Sequence, residues 1–290
     1  MNPSGPLRTA ADAYFWKPGT AWFRALELDA YAAAGISLPG PVLDLGCGDG
    51  RVAHMLFEMG ILEGPVFGAD LSARQLAEAR DRSPHAGLVR AEADRLPFPD
   101  GCFASVLCNG VLCSIASGPD PTLTEMRRVL GPAGTVVATI PTERFLSVLL
   151  WSRLLRVWPA AQRSYERRVN RRQRHYTADP AEGWRRRFEK AGFAIEDMAP
   201  FLSRRGGELW SVLAMHVFRL FGVLKLTPDW GPKRGAGVLL EILLRRSFTQ
   251  ERVRPGEGYL LLVARRVDSG AWPLPEGAAG EGGLARFVCP

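Results

Sequence analysis

The sequence predicts an α/β fold built as a doubly wound, mostly parallel sheet. Three observations predict it. Apolar runs of strand length alternate with helix-patterned stretches between about residues 40 and 140. The first run, Val42-Leu-Asp-Leu45, passes straight into Gly46-Cys-Gly-Asp-Gly50 and then a helix. Capping and turn residues fall where strand–helix units need them.

Taken in order, the pattern gives a helix over about 20–34 and a strand over about 41–46, whose Val42, Leu43 and Leu45 suit a strand buried on both faces. A helix follows at about 51–60, then a strand at 65–70. Ser72 is placed to cap a helix over 72–82, and a strand follows at 87–91. The fourth strand spans 103–109. Asp120 with Pro121 opens a helix over 119–130, because proline suits a first helical turn. Gly131-Pro-Ala-Gly134 reads as a tight turn into a fifth strand over 134–140. Pro180 to Ala191 is helix-patterned and closed by Gly192. Phe193–Met198 is a sixth strand and Tyr259–Arg266 a seventh.

The loop after the first strand is the most informative segment. Glycine tolerates positive φ and has no Cβ, so a ligand can lie against bare backbone. The spacing is G-x-G-x-G, not the G-x-G-x-x-G of dinucleotide sites. Arg51 stands where the third dinucleotide glycine would pack helix on strand, and Asp44 would repel phosphate. Both speak against a pyrophosphate ligand, and Asp44 favours a cationic or ammonium-bearing one.

Further motifs follow: Gly68-Ala-Asp70-Leu71-Ser72, Ala93-Asp94-Arg95-Leu96-Pro97-Phe98 and Glu125-Met-Arg-Arg-Val-Leu-Gly-Pro-Ala-Gly134. With Asp44–Gly50, these make the chain resemble the class I S-adenosylmethionine-dependent methyltransferases of the type 11-like group. The resemblance covers roughly residues 40–142, with weaker support at 176–198 and 258–266. A lone glycine loop would be weak; four motifs in order are specific.

The resemblance implies a Rossmann-like seven-stranded sheet, strand seven antiparallel, and S-adenosylmethionine as cofactor. It implies that Asp70 binds both ribose hydroxyls, which needs an ionised bidentate acceptor. Leu71 would pack on adenine. Asp94, beside Ala93, would accept from the adenine amino group, with Arg95 and Leu96 lining the ring. Asn109 would hydrogen-bond the methionine moiety with Asp44 and Gly46, in a loop completed by Cys47, Gly48 and Gly50. Tyr14, Phe15, Trp16, Trp22 and Phe23 would belong to an N-terminal helical segment over 1–40, closing over the cofactor or packing on the sheet edge.

On this reading residues 41–142 are the cofactor-binding core, 179–199 supply a core helix and the sixth strand, and 257–267 the seventh strand. Two insertions remain: an Arg-rich one at 143–178 and an apolar one at 200–256. They follow strands that end at the ligand-binding edge, so they should form a helical cap over the crevice. Phe145–Trp158, Leu209–Leu226 and Val238–Leu244 are their apolar runs; Trp151, Trp158, Trp210, Phe218 and Phe221 are their large groups. The first run is too short for a membrane span, and His216, Arg219 and Lys225 break the second. Three readings stay open: faces buried on each other, an interfacial helix pair resting on a bilayer, and a dimer interface. The tail from Asp268 to Pro290 reads as disordered.

Length (290 residues) and 47% hydrophobic content indicate a globular chain with one sizeable core. The opening Met-Asn-Pro-Ser-Gly-Pro has neither a basic nor an apolar leader region, so a cytoplasmic protein is expected, with a peripheral position on the inner membrane face as the variant. Five scattered cysteines without a CxxC pair predict reduced thiols and no metal site. The net charge of +7 is local: residues 153–187 hold eleven Arg against three carboxylates, a net of +8 that leaves −1 elsewhere. That segment is either a solvated face, a contact for anionic lipid or anionic substrate, or a nucleic-acid track; it lacks interleaved aromatics, which disfavours the last.

Methyl transfer is an in-line displacement for which an enzyme supplies alignment and exclusion of water. A base is needed only when the nucleophile must lose a proton. His175 and Tyr176 are the first candidates and Glu143 the next, while His54 and His85 read as structural and His216 could face substrate. The segment Cys108-Asn-Gly-Val-Leu-Cys113 lacks the Asn-Pro-Pro-aromatic signature of amino-methylating DNA or protein-glutamine enzymes. The sequence reading is therefore a methyltransferase acting by O- or C-methylation on a hydrophobic acceptor such as a lipid, quinone, isoprenoid or polyketide. An RNA methyltransferase and a catalytically silent cofactor-binding scaffold are the alternatives.

Overall fold

The computed structural model describes residues 5–81, 84–214, 233–251 and 258–267. Helices are α1 (Pro6–Tyr14), α2 (Pro18–Ala33), α3 (Arg51–Glu58), α4 (Ala73–Arg80), α5 (Asp120–Val129), α6 (Leu150–Leu154), α7 (Pro159–Gln173), α8 (Ala181–Lys190), α9 (Arg204–Val212) and α10 (Lys233–Glu251). Strands are β1 (Leu38–Pro39), β2 (Val42–Leu45), β3 (Leu62–Glu63), β4 (Val66–Asp70), β5 (His85–Arg90), β6 (Phe103–Asn109), β7 (Leu130–Pro141), β8 (Phe193–Pro200) and β9 (Tyr259–Arg266).

Seven strands form one sheet in the order β5-β4-β2-β6-β7-β9-β8. β2 pairs in parallel with β4 and β6, and β4 with β5. β9 runs antiparallel to β8: Phe201 N–H donates to the Tyr259 carbonyl and Val267 N–H to that of Gly192, each at 3.0 Å. The chain moves outward from β2 to β4 and β5, then returns to lay β6 on the other side of β2. That reversal is the topological switch point beside which such sheets bind ligands.

The α/β reading and the antiparallel last strand are borne out. Two local features differ from expectation. β1 and β3 form a separate two-stranded pair, Leu38 opposite Leu62, too short to show as an apolar run. The expected turn at Gly131–Gly134 lies inside β7, which is unbroken from Leu130 to Pro141 although Ala133 has φ of 57°. Arg265 on β9 donates to the Ala133 carbonyl at 3.3 Å and Arg266 to the Leu130 carbonyl, so the segment is bridged to β9 despite its left-handed residue. Within the two expected insertions the structure describes α6, α7, α9 and α10. His216, Phe218, Arg219, Phe221 and Lys225, and the tail from Asp268, lie outside the described residues.

The chain divides into two compact units. One comprises Ser37–Ala138, Glu182–Asp197 and Leu262–Pro290; the other Met1–Ile36, Thr139–Ala181 and Met198–Leu261. In the first, Leu43, Leu45, Phe103, Val106, Leu107 and Val136 are fully buried or nearly so, as expected for strands covered on both faces. In the second, α2 buries Ala21, Trp22, Ala25, Leu26, Leu28 and Tyr31. Gly19 on α2 is glycine because a Cβ there would lie 2.7 Å from the Ala214 backbone nitrogen. Trp22 donates its indole N–H to the Gly206 carbonyl at 3.0 Å, which satisfies the polar end of a buried ring.

Candidate cofactor site

All four residues of β2 are buried, and the glycine loop leaves its end at the switch point. Gly46 and Cys47 both donate their backbone N–H to the Ala69 carbonyl, at 2.7 and 3.1 Å, which ties the loop to the end of β4. Gly46, Gly48 and Gly50 have φ of 68°, 57° and 76°. A side chain at Gly46 would also run into Val111 Cγ2, just beyond β6. Gly50 caps α3 without any side-chain hydrogen bond. Arg51 is half-buried and its guanidinium is bound by Asp49 at 2.7 Å.

Asp70 ends β4 and faces back to the loop. Its Oδ2 accepts from Gly48 N–H at 2.9 Å and its Oδ1 from Ser72 N–H at 2.8 Å. A carboxylate oxygen has two lone pairs, so each oxygen keeps capacity for a further donor such as a hydroxyl. Leu71, the next residue, is 58% exposed, an apolar side chain left open beside a carboxylate. Across the switch point, Asn109 ends β6 half-buried, and Gly110 follows with φ of 66° and open space where a Cβ would stand.

Asp44 is not displayed as a free carboxylate. It is 3% exposed, and its Oδ2 lies 2.9 Å from His85 Nε2. His85 is the first residue of β5, and its side chain is buried. Cys47 joins this pair: Asp44, Cys47 and His85 each present one possible metal-ligand atom, all within 4.8 Å of one another. The Asp44–His85 contact already occupies two of the three. Burial, then the charges of Asp44 and Asp70, push the Cys47 thiol far above its ordinary range, so the sulfur stays protonated. Cys108 and Cys113 are likewise raised, to about 12 and about 11, chiefly by burial.

Ala93 and Asp94 form the turn between the bridged residues Glu92 and Arg95. Asp94 and Arg95 are exposed, whereas Leu96 and Phe98 are buried. The segment is held from α5. Glu125 Oε1 accepts from Leu96 N–H at 2.7 Å, and Arg128 clasps Glu125 through two nitrogens at 2.7 and 2.9 Å. Arg128 also donates to the carbonyls of Phe98 at 2.7 Å and Leu96 at 3.0 Å. That clasp holds the Glu125 carboxyl below the usual carboxylate range. The motif Glu125–Gly134 thus has a physical role: its Arg and Glu fix the loop that carries Asp94.

The three base candidates lie in the other unit and differ sharply. Tyr176 is 62% exposed. Glu143 is exposed and 3.7 Å from the adjacent Arg144. His175 is half-buried in an aromatic cluster: its Nε2 lies 2.7 Å from the Tyr259 hydroxyl, and its ring meets Phe145 edge-on at 4.9 Å. Phe145 also contacts Tyr259 and Trp210, and Phe23 contacts Tyr259 at 4.9 Å. Burial lowers the His175 pKa to about 4, so the ring is neutral near pH 7, and its Nδ1 is buried with no described partner.

Two groups were missed by sequence reasoning. Tyr259 is the first residue of β9 and nothing in its pattern marks it as polar in role. Glu27 is fully buried on α2, where it binds the Arg24 guanidinium and accepts from the Thr139 hydroxyl at 2.9 Å. A carboxylate within Ala25-Leu-Glu-Leu28 was the available signal.

The order of strands and the glycine loop at the switch point define the class I methyltransferase architecture. The methyltransferase domain family matches residues 43–138, a stretch similar to the class I S-adenosylmethionine-dependent methyltransferases. A demethylmenaquinone methyltransferase of Beutenbergia cavernae is 37% identical over 117 residues, which are 40% of this chain and 45% of that protein. A ubiquinone/menaquinone biosynthesis C-methyltransferase UbiE of Cupriavidus necator is 30% identical over 147 residues, 49% of this chain and 55% of that protein. The chain thus spans about half the length of these curated relatives. Among solved structures, phosphoethanolamine N-methyltransferase 2 of Haemonchus contortus in complex with S-adenosyl-L-methionine aligns with a TM-score of 0.53 at 16% identity, covering 84% of this chain and 52% of that one. The [4+2]-cyclase SpnF aligns at 0.51 and 20% identity, covering 84% and 81%. At such identities these two show the fold alone, and the cyclase shows that the fold does not by itself fix the reaction.

Proposed function

We propose that the chain is an S-adenosylmethionine-dependent methyltransferase that acts on a hydrophobic small molecule of the quinone or aromatic-ring class. The observation that carries the cofactor reading is Asp70: a strand-end carboxylate seated against the glycine loop, with lone pairs to spare and an exposed Leu71 beside it. That set fits a ribose flanked by a flat apolar base. Asp94 at an exposed turn fits the base's amino group, and Asn109 with the bare Gly110 fits the amino-acid end. The acceptor class is supported by the relatives named for menaquinone and ubiquinone methylation.

When bound, S-adenosylmethionine supplies a methyl carbon activated by its sulfonium. The chain's own work is to bind and orient. Asp70 would anchor the ribose by charge-assisted hydrogen bonds, and the loop fixed by Glu125 and Arg128 would hold the base. If the acceptor is a ring hydroxyl or a carbon activated by one, a proton must leave. His175 is the group we assign to take it, because it is neutral and its Nδ1 is uncommitted while Tyr259 holds Nε2. Glu143 and Tyr176 remain secondary candidates.

Two measurements test this. Calorimetric titration should show micromolar binding of S-adenosylmethionine and of its demethylated product, and none of NAD. Transfer of a labelled methyl group to a prenylated hydroquinone should then be detectable and be lost in Asp70→Ala. Tight NAD binding without any response to S-adenosylmethionine would end the cofactor reading; cofactor binding without transfer to any apolar ring acceptor would end the acceptor reading.

A further inference from the structure

We propose that the α6–α7 hairpin is a docking surface for an anionic lipid bilayer. Leu154, Val157 and Trp158 are 53%, 72% and 64% exposed, three large apolar side chains within five residues at the turn before α7. Soluble surfaces scatter such groups singly; a cluster of them asks for a partner. Directly after them comes a basic face. α7 buries Tyr165 and Val169 on one side. On the other it exposes Arg163, Arg167 and Arg171, a ridge at four-residue spacing, flanked by Arg168 and Arg172. No described carboxylate lies within ion-pair distance of these five.

The contrast with neighbouring arginines is informative. Arg153, on α6, is bound by Glu208, and Arg185 on α8 has Glu182 and Glu189 nearby. The five arginines of the α7 ridge are left to solvent. Its mounting is firm: Glu166 and Gln162 on α7 form a hydrogen-bonded set with Ser152 on α6, Gln162 meeting Glu166 at 3.0 Å. The apolar tip and the basic ridge are therefore one fixed unit.

The chemistry selects the partner. Tryptophan with two aliphatic neighbours suits the hydrocarbon–water boundary, and a run of unpaired guanidinium groups suits lipid phosphates. A nucleic-acid track would need stacking rings along the charged ridge, whereas here the aromatic group stands at its end beside Leu154 and Val157. Among the described residues no helix is long and apolar enough to cross a membrane, and the contact we propose is a peripheral one. Such a position would suit an apolar acceptor dissolved in the bilayer, but the docking reading does not depend on the methyl-transfer reading.

Flotation of the full chain with vesicles tests it. Phosphatidylcholine vesicles containing about 30% phosphatidylglycerol should carry the protein, and pure phosphatidylcholine should not. Roughly 0.5 M NaCl should release most of it, because surface charges are screened. Trp158→Ser and the pair Arg167→Glu with Arg171→Glu should each weaken binding about fivefold or more. Both alter exposed side chains, so circular dichroism and S-adenosylmethionine titration should match the parent. Absence of flotation with anionic vesicles, equal flotation with neutral ones, or insensitivity to Trp158→Ser would overturn the proposal. So would tight binding of RNA or DNA duplexes that depends on the arginines and ignores Trp158.

Discussion

His85 Nε2 meets Asp44 Oδ2 at 2.9 Å by passing its ring above Gly68. The contact joins the first residue of edge strand β5 to central strand β2, across the intervening β4. A Cβ at Gly68 would sit 2.6 Å from Leu88 Cδ2, 2.8 Å from Cys47 Sγ and 2.9 Å from His85 Cδ2. The glycine is thus required by three crowding side chains, Leu88 and Cys47 with the crossing ring, not by backbone conformation. Both partners are buried, so removing one strands the other. His85→Ala should destabilise the fold by about 3–5 kcal/mol, the usual cost of an uncompensated buried charge. The double replacement Asp44→Leu with His85→Leu should cost less than the sum of the single changes. Chemical denaturation of the four variants measures the coupling; additive costs would show that the pair carries no interaction.

Asp70 is predicted to serve binding more than folding. Asp70→Ala should weaken S-adenosylmethionine by about 1.5–3 kcal/mol, the loss expected when charged hydrogen bonds go. The Gly48 and Ser72 residues whose amides it accepts from are only half-buried, so water can replace it and the melting temperature should fall only slightly. Unchanged affinity with a collapsed melting temperature would make Asp70 structural.

The fold was legible because its signals are local. Val42–Leu45 with three glycines behind it, Ser72 at a helix start, and the run Tyr259–Arg266 each carry their own pattern, and the structure has those elements within a few residues. What was hidden is contact at long range. Asp44 in the sequence is a carboxylate near a ligand loop; only the sheet order reveals that residue 85 reaches it. His54 and His85 look alike in sequence, yet one is exposed on α3 and the other buried against Asp44. Trp158 and Trp210 read alike as large apolar groups of the insertions, yet Trp210 packs on Phe145 at 5.9 Å, while Trp158 is the exposed one. Helical periodicity could not separate them, because both sit at the ends of short apolar stretches.

Glu27 yields a stability prediction. Its carboxylate is fully buried between Arg24 and the Thr139 hydroxyl. Burial opposes the Arg24 charge, but the charge and hydrogen bond of Glu27, together with Tyr14 and Tyr259, more than offset it and the guanidinium pKa is raised. Glu27→Gln keeps the shape and removes the charge, so Arg24 loses its counter-ion. A loss of about 3 kcal/mol or more is expected, whereas Thr139→Val, which removes one neutral donor, should cost about 1–2 kcal/mol. Thermal unfolding of both variants checks the order; equal costs would mean that the charge pair contributes nothing.

His175 gives the pH dependence its sign. Its folded pKa is lowered to about 4 by burial, against about 6.5 in an unfolded chain. Above pH 6.5 both states hold the neutral ring and it contributes no slope. Between about 6.5 and 4 the unfolded chain takes up a proton that the folded one refuses, so stability must fall as pH falls, by up to about 3 kcal/mol over that window. His175→Phe should remove this component of the slope. The same shift bears on catalysis. If His175 takes the acceptor's proton, the acid limb of the rate should lie near pH 4 to 5 in the stable range rather than near 6.5. Tyr259→Phe should then lower turnover and move that limb, since it removes the hydroxyl that fixes the ring. A profile that breaks at 6.5, unchanged in Tyr259→Phe, would exclude His175 as the base. Denaturation and initial-rate measurements over pH 4 to 8 on the parent and both variants separate the structural part of the effect from the catalytic one.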